Sequence, residues 1–234
     1  MRDEELKALF DQQAAGYDRQ WAGMAPIREA LYLLLDALFV GLSSDARILC
    51  VGAGTGAEIA HLAKRFPGWR FTVLDPSGAM LEVCRQRAQR EGFLPRCDFH
   101  EGYLDTLATG PAHDGATCFL VSQFLLEPAA RTGFFRQIAQ RLKPGGLLAN
   151  ADLAADIQSP AYEVLLPGWM TLMSSAGVDA QMLARARAAY ARDVAVLPAP
   201  QVAEIIQAAG FAAPTQFFQA GLMHAWLCSR EATA

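Results

Sequence analysis

A glycine-rich segment at residues 51–57 constrains the fold of this 234-residue chain more than any other feature. The segment reads VGAGTGA and lies between a short apolar run, 47–51, and a helical pattern that begins at Ala57. Glycines in such a place let the backbone turn tightly and approach a ligand, while the first N–H groups of the helix are free to bind its polar atoms. Asp75 ends the next strand pattern, where a carboxylate can accept hydrogen bonds from ribose hydroxyls. The spacing therefore predicts a nucleotide-binding turn.

Strand and helix patterns alternate along the first two thirds of the chain. Four of the strand patterns are nearly continuous apolar runs, which is typical of parallel strands covered on both faces. Two further strand-like runs, separated only by Ala220-Gly221, predict a hairpin near the C-terminus. The predicted fold class is α/β, a doubly wound and mostly parallel seven-stranded sheet with a C-terminal antiparallel hairpin. The predicted strands span 47–51, 69–74, 96–100, 115–121, 147–151, 215–219 and 222–228, and the predicted helices include 57–66, 77–91, 128–142 and 200–209.

A chain of this length is expected to form a single domain with embellishments. Residues 1–44 have helical spacing and are predicted to form an N-terminal lid, and 45–152 form the cofactor-binding core. Residues 153–195 are predicted to form a substrate cap of two helices, split near Gly177. The last helix and the closing hairpin occupy 196–234.

Composition and charge exclude several other classes of protein. Apolar residues make up 53% of the chain, enough for a large core, and the net charge of −4 gives no general attraction for nucleic acid. The most apolar stretch, 30–42, is shorter than the roughly 20 residues that a membrane-spanning helix needs. The five scattered cysteines and the charged first residues predict a cytoplasmic protein. The four histidines lack metal-ligand spacing, so no metal is expected.

The glycine pattern alone leaves two cofactors open. The pattern GxGxxA at 52–57 also fits the dinucleotide fingerprint of an NAD-dependent dehydrogenase. However, residues 48–56, ILCVGAGTG, resemble the ILDLGCGTG signature of class I S-adenosylmethionine (SAM)-dependent methyltransferases. Residues 75–81, DPSGAML, resemble the second motif of that family, in which the acid holds ribose and the Met flanks adenine. Residues 142–148, LKPGGLL, resemble the turn that precedes the fifth strand of the family.

The segments on either side of this core resemble the same family. Residues 10–18, FDQQAAGYD, are similar to the N-terminal element of the ubiquinone/menaquinone-biosynthesis type of methyltransferase, where it covers the cofactor. Residues 209–211, AGF, followed by a hairpin, resemble the usual C-terminal end. The short stretch 123–128, QFLLEP, resembles the carboxy-SAM synthase subgroup. The resemblance implies that the cofactor is SAM.

Two positions depart from the pattern of the family. Cys50 stands two residues before the first glycine, where relatives carry an acid that helps to position the methionine end of SAM. Tyr103 stands near the end of the third strand, where relatives often carry an acid close to adenine. The cofactor contacts that the resemblance and the strand ends imply are Tyr17, Gly52, Ala53, Gly54, Asp75, Pro76, Met80, Gly102, Tyr103, Leu104, Val121, Ser122 and Gln123.

The activity implied is methyl transfer from SAM to a small-molecule acceptor. Such a transfer is an in-line displacement, so the protein mainly aligns the reactants and excludes water, and no catalytic side chain is assigned. Aromatic and Met residues in 153–195 suggest a pocket for a flat apolar acceptor, or core and dimer contacts. An NAD-dependent dehydrogenase, a tRNA-modification enzyme of the carboxy-SAM type and a non-catalytic SAM-binding module remain as alternatives, and a homodimer is left open.

Overall fold

A seven-stranded sheet with helices on both faces forms the centre of the protein in the computed structural model. The model describes residues 3–108, 110, 112–173 and 178–232. The strands are β1 (Arg47–Val51), β2 (Arg70–Asp75), β3 (Cys97–Glu101), β4 (His113–Phe119), β5 (Leu142–Leu153), β6 (Thr215–Ala220) and β7 (Met223–Ser229). The helices are α1 (Asp3–Gln13), α2 (Tyr17–Gln20), α3 (Ala25–Phe39), α4 (Ala57–Arg65), α5 (Gly78–Arg90), α6 (Pro128–Arg141), α7 (Pro160–Met173), α8 (Ala180–Asp193) and α9 (Ala199–Gln207).

The strand order is β3-β2-β1-β4-β5-β7-β6. The first five strands along this order are parallel, and β7 is antiparallel to both β5 and β6. The predicted doubly wound sheet and its closing hairpin are therefore confirmed. The chain direction across the sheet reverses between β1 and β4, and ligands of such sheets bind outside the carboxyl ends of the strands at this point.

Two apolar clusters cover the two faces of the sheet. One face packs against α6 and α9, with Phe135 and Ile206 fully buried. The other face packs against α3, α4 and α5, with Phe39 and Ile59 fully buried. Because both faces are covered, the inner strands lack the polar alternation of a half-exposed sheet, as their apolar runs predicted.

The bounds of two strands, β4 and β5, differ from the prediction by more than one residue. β5 begins at Leu142, because Leu142 pairs with His113 on β4 before Leu147 pairs with Gly115. The lysine-proline-glycine-glycine turn is thus a bulge inside a longer strand. β4 ends at Phe119 and not at residue 121, because the backbone of Leu120 turns to a φ of 60°.

The two helices of the predicted cap, α7 and α8, pack against each other and against the lid. Trp169 Nε1 on α7 donates a 3.0 Å hydrogen bond to the hydroxyl of Tyr190 on α8. Both helices join a third apolar cluster that also contains Leu31 of α3 and Met223 of β7. The predicted split at Gly177 falls at 174–177, outside the described residues.

Within the described ranges, no helix combines the length and the apolar character needed to cross a membrane.

Candidate functional site

A cavity of about 500 Å³ opens at the carboxyl edge of the parallel strands. This volume lies within the range of about 300–1,000 Å³ that is typical of small-molecule sites. Its wall follows the strand order, from Tyr103 after β3 and Asp75 at the end of β2, past Gly52 after β1, to Phe119 of β4 and Met223 of β7. The cavity therefore extends across most of the sheet edge and can hold an elongated ligand.

The glycine turn after β1 forms the floor of this cavity. Gly52 has a φ of 66°, and a Cβ added to it would lie 2.2 Å from a methyl carbon of Val121. Any larger residue would displace Val121, which itself lines the cavity. The N–H of Ala53 donates to the carbonyl of Leu74 on β2 at 2.9 Å, so the turn is fixed against the neighbouring strand. The predicted Gly52, Ala53 and Gly54 all line the cavity.

Asp75 joins the turn to the start of α5. Its Oδ2 accepts a 2.8 Å hydrogen bond from the N–H of Gly54, and its Oδ1 accepts one of 2.8 Å from the N–H of Ser77. Burial raises the pKa of this carboxyl, and the two backbone hydrogen bonds partly oppose that rise. A carboxylate has about four lone-pair sites, so oxygen acceptors remain for the hydroxyls of a ribose in the cavity.

The predicted adenine side of the cavity combines buried apolar side chains with an exposed ring. Met80 and Leu104 are buried and line the cavity, together with Pro76 and Gly102. Tyr103 also lines it, but the side chain is 42% exposed and its hydroxyl donates to the carbonyl of Asp3 at 3.3 Å. The ring therefore lies at the mouth of the cavity, between β3 and the lid.

Two aspartates of the lid motif hold the N-terminal helices over the site. Asp11 accepts a 2.6 Å hydrogen bond from Ser77 Oγ, and that same oxygen of Ser77 accepts one from the N–H of Met80. Asp18 accepts a 2.7 Å hydrogen bond from Thr55 Oγ1 and forms an ion pair with Arg87. The lid thus contacts the glycine turn and α5, the two segments that frame Asp75.

Aromatic rings of the lid close one side of the cavity. Phe10 and Tyr17 both line it, with ring centroids 6.4 Å apart in an edge-on arrangement. Phe10 also packs edge-on against Phe124, which follows β4. Trp21 contacts Tyr17 from behind and does not line the cavity. The predicted contact from Tyr17 is therefore geometrically available.

The far end of the cavity is mostly apolar. Leu31 and Tyr32 of α3 face Phe119, Ala151 and Met223 there. The adjoining residue after β4, Leu120, also lines the cavity and has the positive φ that a branched side chain rarely adopts. No described residue of 153–195 lines the cavity. The cap instead packs against α3 and β7, whose residues Leu31 and Met223 form this end of the wall.

Ser122 and Gln123 are the two predicted site residues that do not line the cavity. Ser122 Oγ donates to Asp152 at 2.7 Å and accepts from Arg131 Nε at 2.9 Å. Gln123 Oε1 accepts a 2.8 Å hydrogen bond from the N–H of Leu153. The Ser122 side chain and the N–H of Gln123, which donates to Asp152 at 3.1 Å, belong to a buried polar network around the ion pair of Arg131 and Asp152. This ion pair is 2.8 Å long and fully buried. This network joins β4, α6 and β5 below the site.

The polar side chains of the cavity wall that were not predicted from the sequence include Arg28 and Tyr32 of α3, and Glu58 of α4. Burial raises the pKa of Glu58 to about 7. The signal for Glu58 was available, because an acid on the same helix face as Leu62 interrupts an otherwise buried apolar face. Arg28 and Tyr32 gave no such signal, since only the packing of α3 against the sheet brings them to the site.

The fold and the site together define the class of this protein: a Rossmann-like domain with a nucleotide-cofactor site at its switch point. Residues 48–146 match the family model described as a methyltransferase domain. This match and the similar proteins below support the class I SAM-dependent methyltransferase family for this chain.

Relatives of known name agree with this assignment. The chain is 33% identical over 145 residues to the erythromycin 3''-O-methyltransferase of Saccharopolyspora erythraea, an alignment that covers 60% of this chain and 46% of that enzyme. It therefore spans about half the length of that relative. It is 28% identical over 180 residues to the demethylmenaquinone methyltransferase of Tropheryma whipplei, covering 73% of this chain and 71% of that enzyme.

A solved structure shows the same fold at low sequence identity. The apo form of the SAM-dependent methyltransferase SibL superposes with a TM-score of 0.63 at 20% identity, covering 86% of this chain and 54% of that chain. The matches to the methyltransferase domain and to named methyltransferases favour a methyltransferase over the NAD-dependent dehydrogenase.

Proposed function

We propose that this protein transfers the methyl group of SAM to a small, largely apolar acceptor. The observation that carries the proposal is one continuous cavity. Its polar part holds the glycine turn and Asp75, and its apolar part is lined by Leu31, Phe119 and Met223. A cofactor in the first part would present its reactive group toward a second molecule in the other part.

The residues of the polar part fit SAM. The turn at Gly52 leaves no room for a side chain, so the backbone itself forms the surface that a ligand meets. Asp75 has acceptor capacity left for ribose, and Met80 and Leu104 offer apolar contacts to a base. Tyr17 would place a ring near the sulfonium, where cation–π attraction contributes about 0.5–2 kcal/mol.

The cofactor supplies the methyl group on a positively charged sulfur, and the protein supplies alignment and a dry cavity. Phe10 and Tyr17 exclude water from the lid side, while the glycine turn fixes the floor. Orientation of two bound reactants in this way lowers the barrier without a dedicated catalytic side chain. The acceptor would lie over β4, β5 and β7, next to Tyr32, which lines that end.

The experiment that tests the proposed function is transfer of a labelled methyl group from SAM to apolar hydroxylated or amino-substituted small molecules. We expect turnover with acceptors that fit the apolar end, and loss of turnover in Met223→Trp, which fills that end. Ile157→Trp, an exposed position outside the cavity, is the matched control and should keep activity. If the protein binds SAM but transfers no labelled methyl group to any of these acceptors or to an extract of the source cell, a non-catalytic SAM-binding module would be favoured.

Further properties are proposed on narrower grounds. All five cysteines are free, and four of them are buried, which suits a reducing compartment such as the cytoplasm. Exposed Leu33 on α3, Val40 directly after α3 and Val164 on α7 give apolar surface that a homodimer would cover. A small-molecule acceptor, and not tRNA, is favoured by the apolar end of the cavity and the acidic net charge.

A further inference from the structure

We infer that Glu58 supplies, from α4, the carboxylate that this chain lacks at position 50, and that it binds the ammonium group of the methionine end of SAM. The inference rests on the proposed function, because it concerns how the same cavity holds its cofactor. It makes Glu58 a cofactor-binding residue at a position that the motif does not include.

The position of Glu58 in the fold supports this inference. Its Oε1 accepts a 3.3 Å hydrogen bond from Thr117 Oγ1 on β4. Thr117 pairs in register with Cys50 on β1, so the two side chains share one face of the sheet. The Glu58 carboxyl therefore lies over the strand position at which relatives carry their acid. Cys50 is fully buried and does not line the cavity, whereas Glu58 lines it beside the glycine turn.

The charge of Glu58 is not balanced by the protein. The side chain is only 7% exposed, yet the described residues provide it with no ion pair. Buried charges are normally paired, and an unpaired carboxyl instead stays protonated to a higher pH. A cation in the cavity would remove this penalty. The ammonium group of an amino acid is the cation that SAM brings to this part of the turn.

The groups around Glu58 favour the binding of a cation at its carboxylate. Burial is the main cause of its raised pKa, the negative charge of Asp75 raises it further, and Arg87 and the Thr117 hydroxyl lower it. Five further titratable neighbours are neutral at pH 7, because burial raises the pKa of each. They come from the lid, α3, β1, α5 and β4: Tyr17, Tyr32, Cys50, Cys84 and Cys118. Arg28 of α3 is a cation on the same cavity wall, and among the described contacts it forms no ion pair with Glu58. None of these neutral groups competes with an incoming ammonium.

The test compares two ligands by calorimetry: S-adenosylhomocysteine, which keeps the amino-acid end, and methylthioadenosine, which lacks it. We expect Glu58→Gln to weaken S-adenosylhomocysteine about 10- to 100-fold, the range for loss of a hydrogen bond to a charged group. The affinity for methylthioadenosine should stay within about twofold. Glu204→Gln, at an exposed carboxyl on α9 outside the cavity, is the matched control and should change neither.

Proton release gives an independent readout. Near pH 7 wild-type protein should release part of a proton when it binds S-adenosylhomocysteine, because a bound ammonium lowers the pKa of Glu58. Calorimetry in buffers of different ionisation enthalpy measures this, and Glu58→Gln should abolish the release. Equal weakening of both ligands, or unchanged affinity with loss of turnover alone, would overturn the inference. No binding of either ligand to wild-type protein would instead overturn the proposed function.

Discussion

The hydroxyl of Thr55 in the glycine turn donates a 2.7 Å hydrogen bond to the carboxylate of Asp18 in the lid. Asp18 also forms an ion pair with Arg87 on α5. One lid carboxylate therefore joins the two segments that frame the cofactor site. Displacement of the N-terminal helices from the site would therefore break a contact with the glycine turn.

The contacts of Asp18 with Thr55 and Arg87 predict that Asp18→Asn speeds the release of the cofactor product. Loss of the charge leaves the lid held mainly by Asp11 and by the aromatic rings, so the open state becomes more populated. We expect the dissociation rate of S-adenosylhomocysteine to rise about three- to tenfold. Stopped-flow displacement can follow this through the fluorescence of Trp21, which contacts Tyr17 in the lid.

The matched control for the lid is Asp98→Asn, at an exposed carboxylate of β3 that does not line the cavity. Its dissociation rate should equal that of wild type. An Asp18→Asn protein that releases the ligand at the wild-type rate would show that this contact does not hold the lid.

A second prediction concerns the pH dependence of stability. The pKa of Glu58 is about 7 in the folded state, against an ordinary value near 4.5. The folded state therefore binds more protons between these pH values, and stability falls as pH rises from about 4.5 to 7. Glu58→Gln removes this titration. The free energy of unfolding of Glu58→Gln, taken relative to that of wild type, should therefore increase by about 2–3 kcal/mol from pH 5 to pH 8.

Urea unfolding at a series of pH values measures this difference. Glu204→Gln, on the exposed face of α9, should give a difference that is independent of pH over the same range. The difference in free energy of unfolding between Glu58→Gln and wild type could instead stay constant with pH, or the variant could become less stable relative to wild type as pH rises. Either result would contradict an unpaired buried carboxyl at Glu58.

A third prediction addresses the buried ion pair below the site. Arg131 and Asp152 are fully buried at 2.8 Å. Arg131→Met leaves the Asp152 charge without its partner and should lower the free energy of unfolding by about 3–5 kcal/mol. Replacing both, as Arg131→Met with Asp152→Leu, should recover much of this loss, because neither charge of this pair then remains buried.

Thermal and denaturant unfolding measure these variants. The exposed ion pair of Arg187 and Glu163 is the control, and Arg187→Met should leave the unfolding midpoint nearly unchanged. If Arg131→Met lowers the unfolding midpoint no more than Arg187→Met does, the buried network does not stabilise the fold below the site.

The sequence predicted best those features that depend on neighbours in the chain. Gly52 and Gly54 follow a strand, Ser77 caps α5 by accepting from the N–H of Met80, and each such pattern is local. Asp75 was also found, because an acid at the end of the second strand is set by spacing alone. The seven strands and the mostly parallel sheet followed from apolar runs and from the alternation of strand and helix patterns.

The features that the sequence missed depend on tertiary packing. Ser122 and Gln123 follow β4 as predicted, but both side chains are buried in the core after the turn at Leu120. Ser122 bonds there to Arg131 and Asp152, and the Gln123 side chain accepts from the N–H of Leu153. The apolar end of the cavity is lined from α3, because the cap packs behind α3. No local sequence pattern indicates that the face of α3 that carries Leu31 packs at the edge of the sheet.

Calorimetric titration of wild-type protein with S-adenosylhomocysteine tests the central claim most directly, with Asp75→Ala measured beside it. The account predicts one binding site with a dissociation constant in the micromolar range or tighter, weakened at least about tenfold in Asp75→Ala, whose carboxylate is expected to hold the ribose. Absence of heat and of any rise in melting temperature at millimolar ligand would contradict it. Equal affinity of wild type and Asp75→Ala would contradict the assignment of the site.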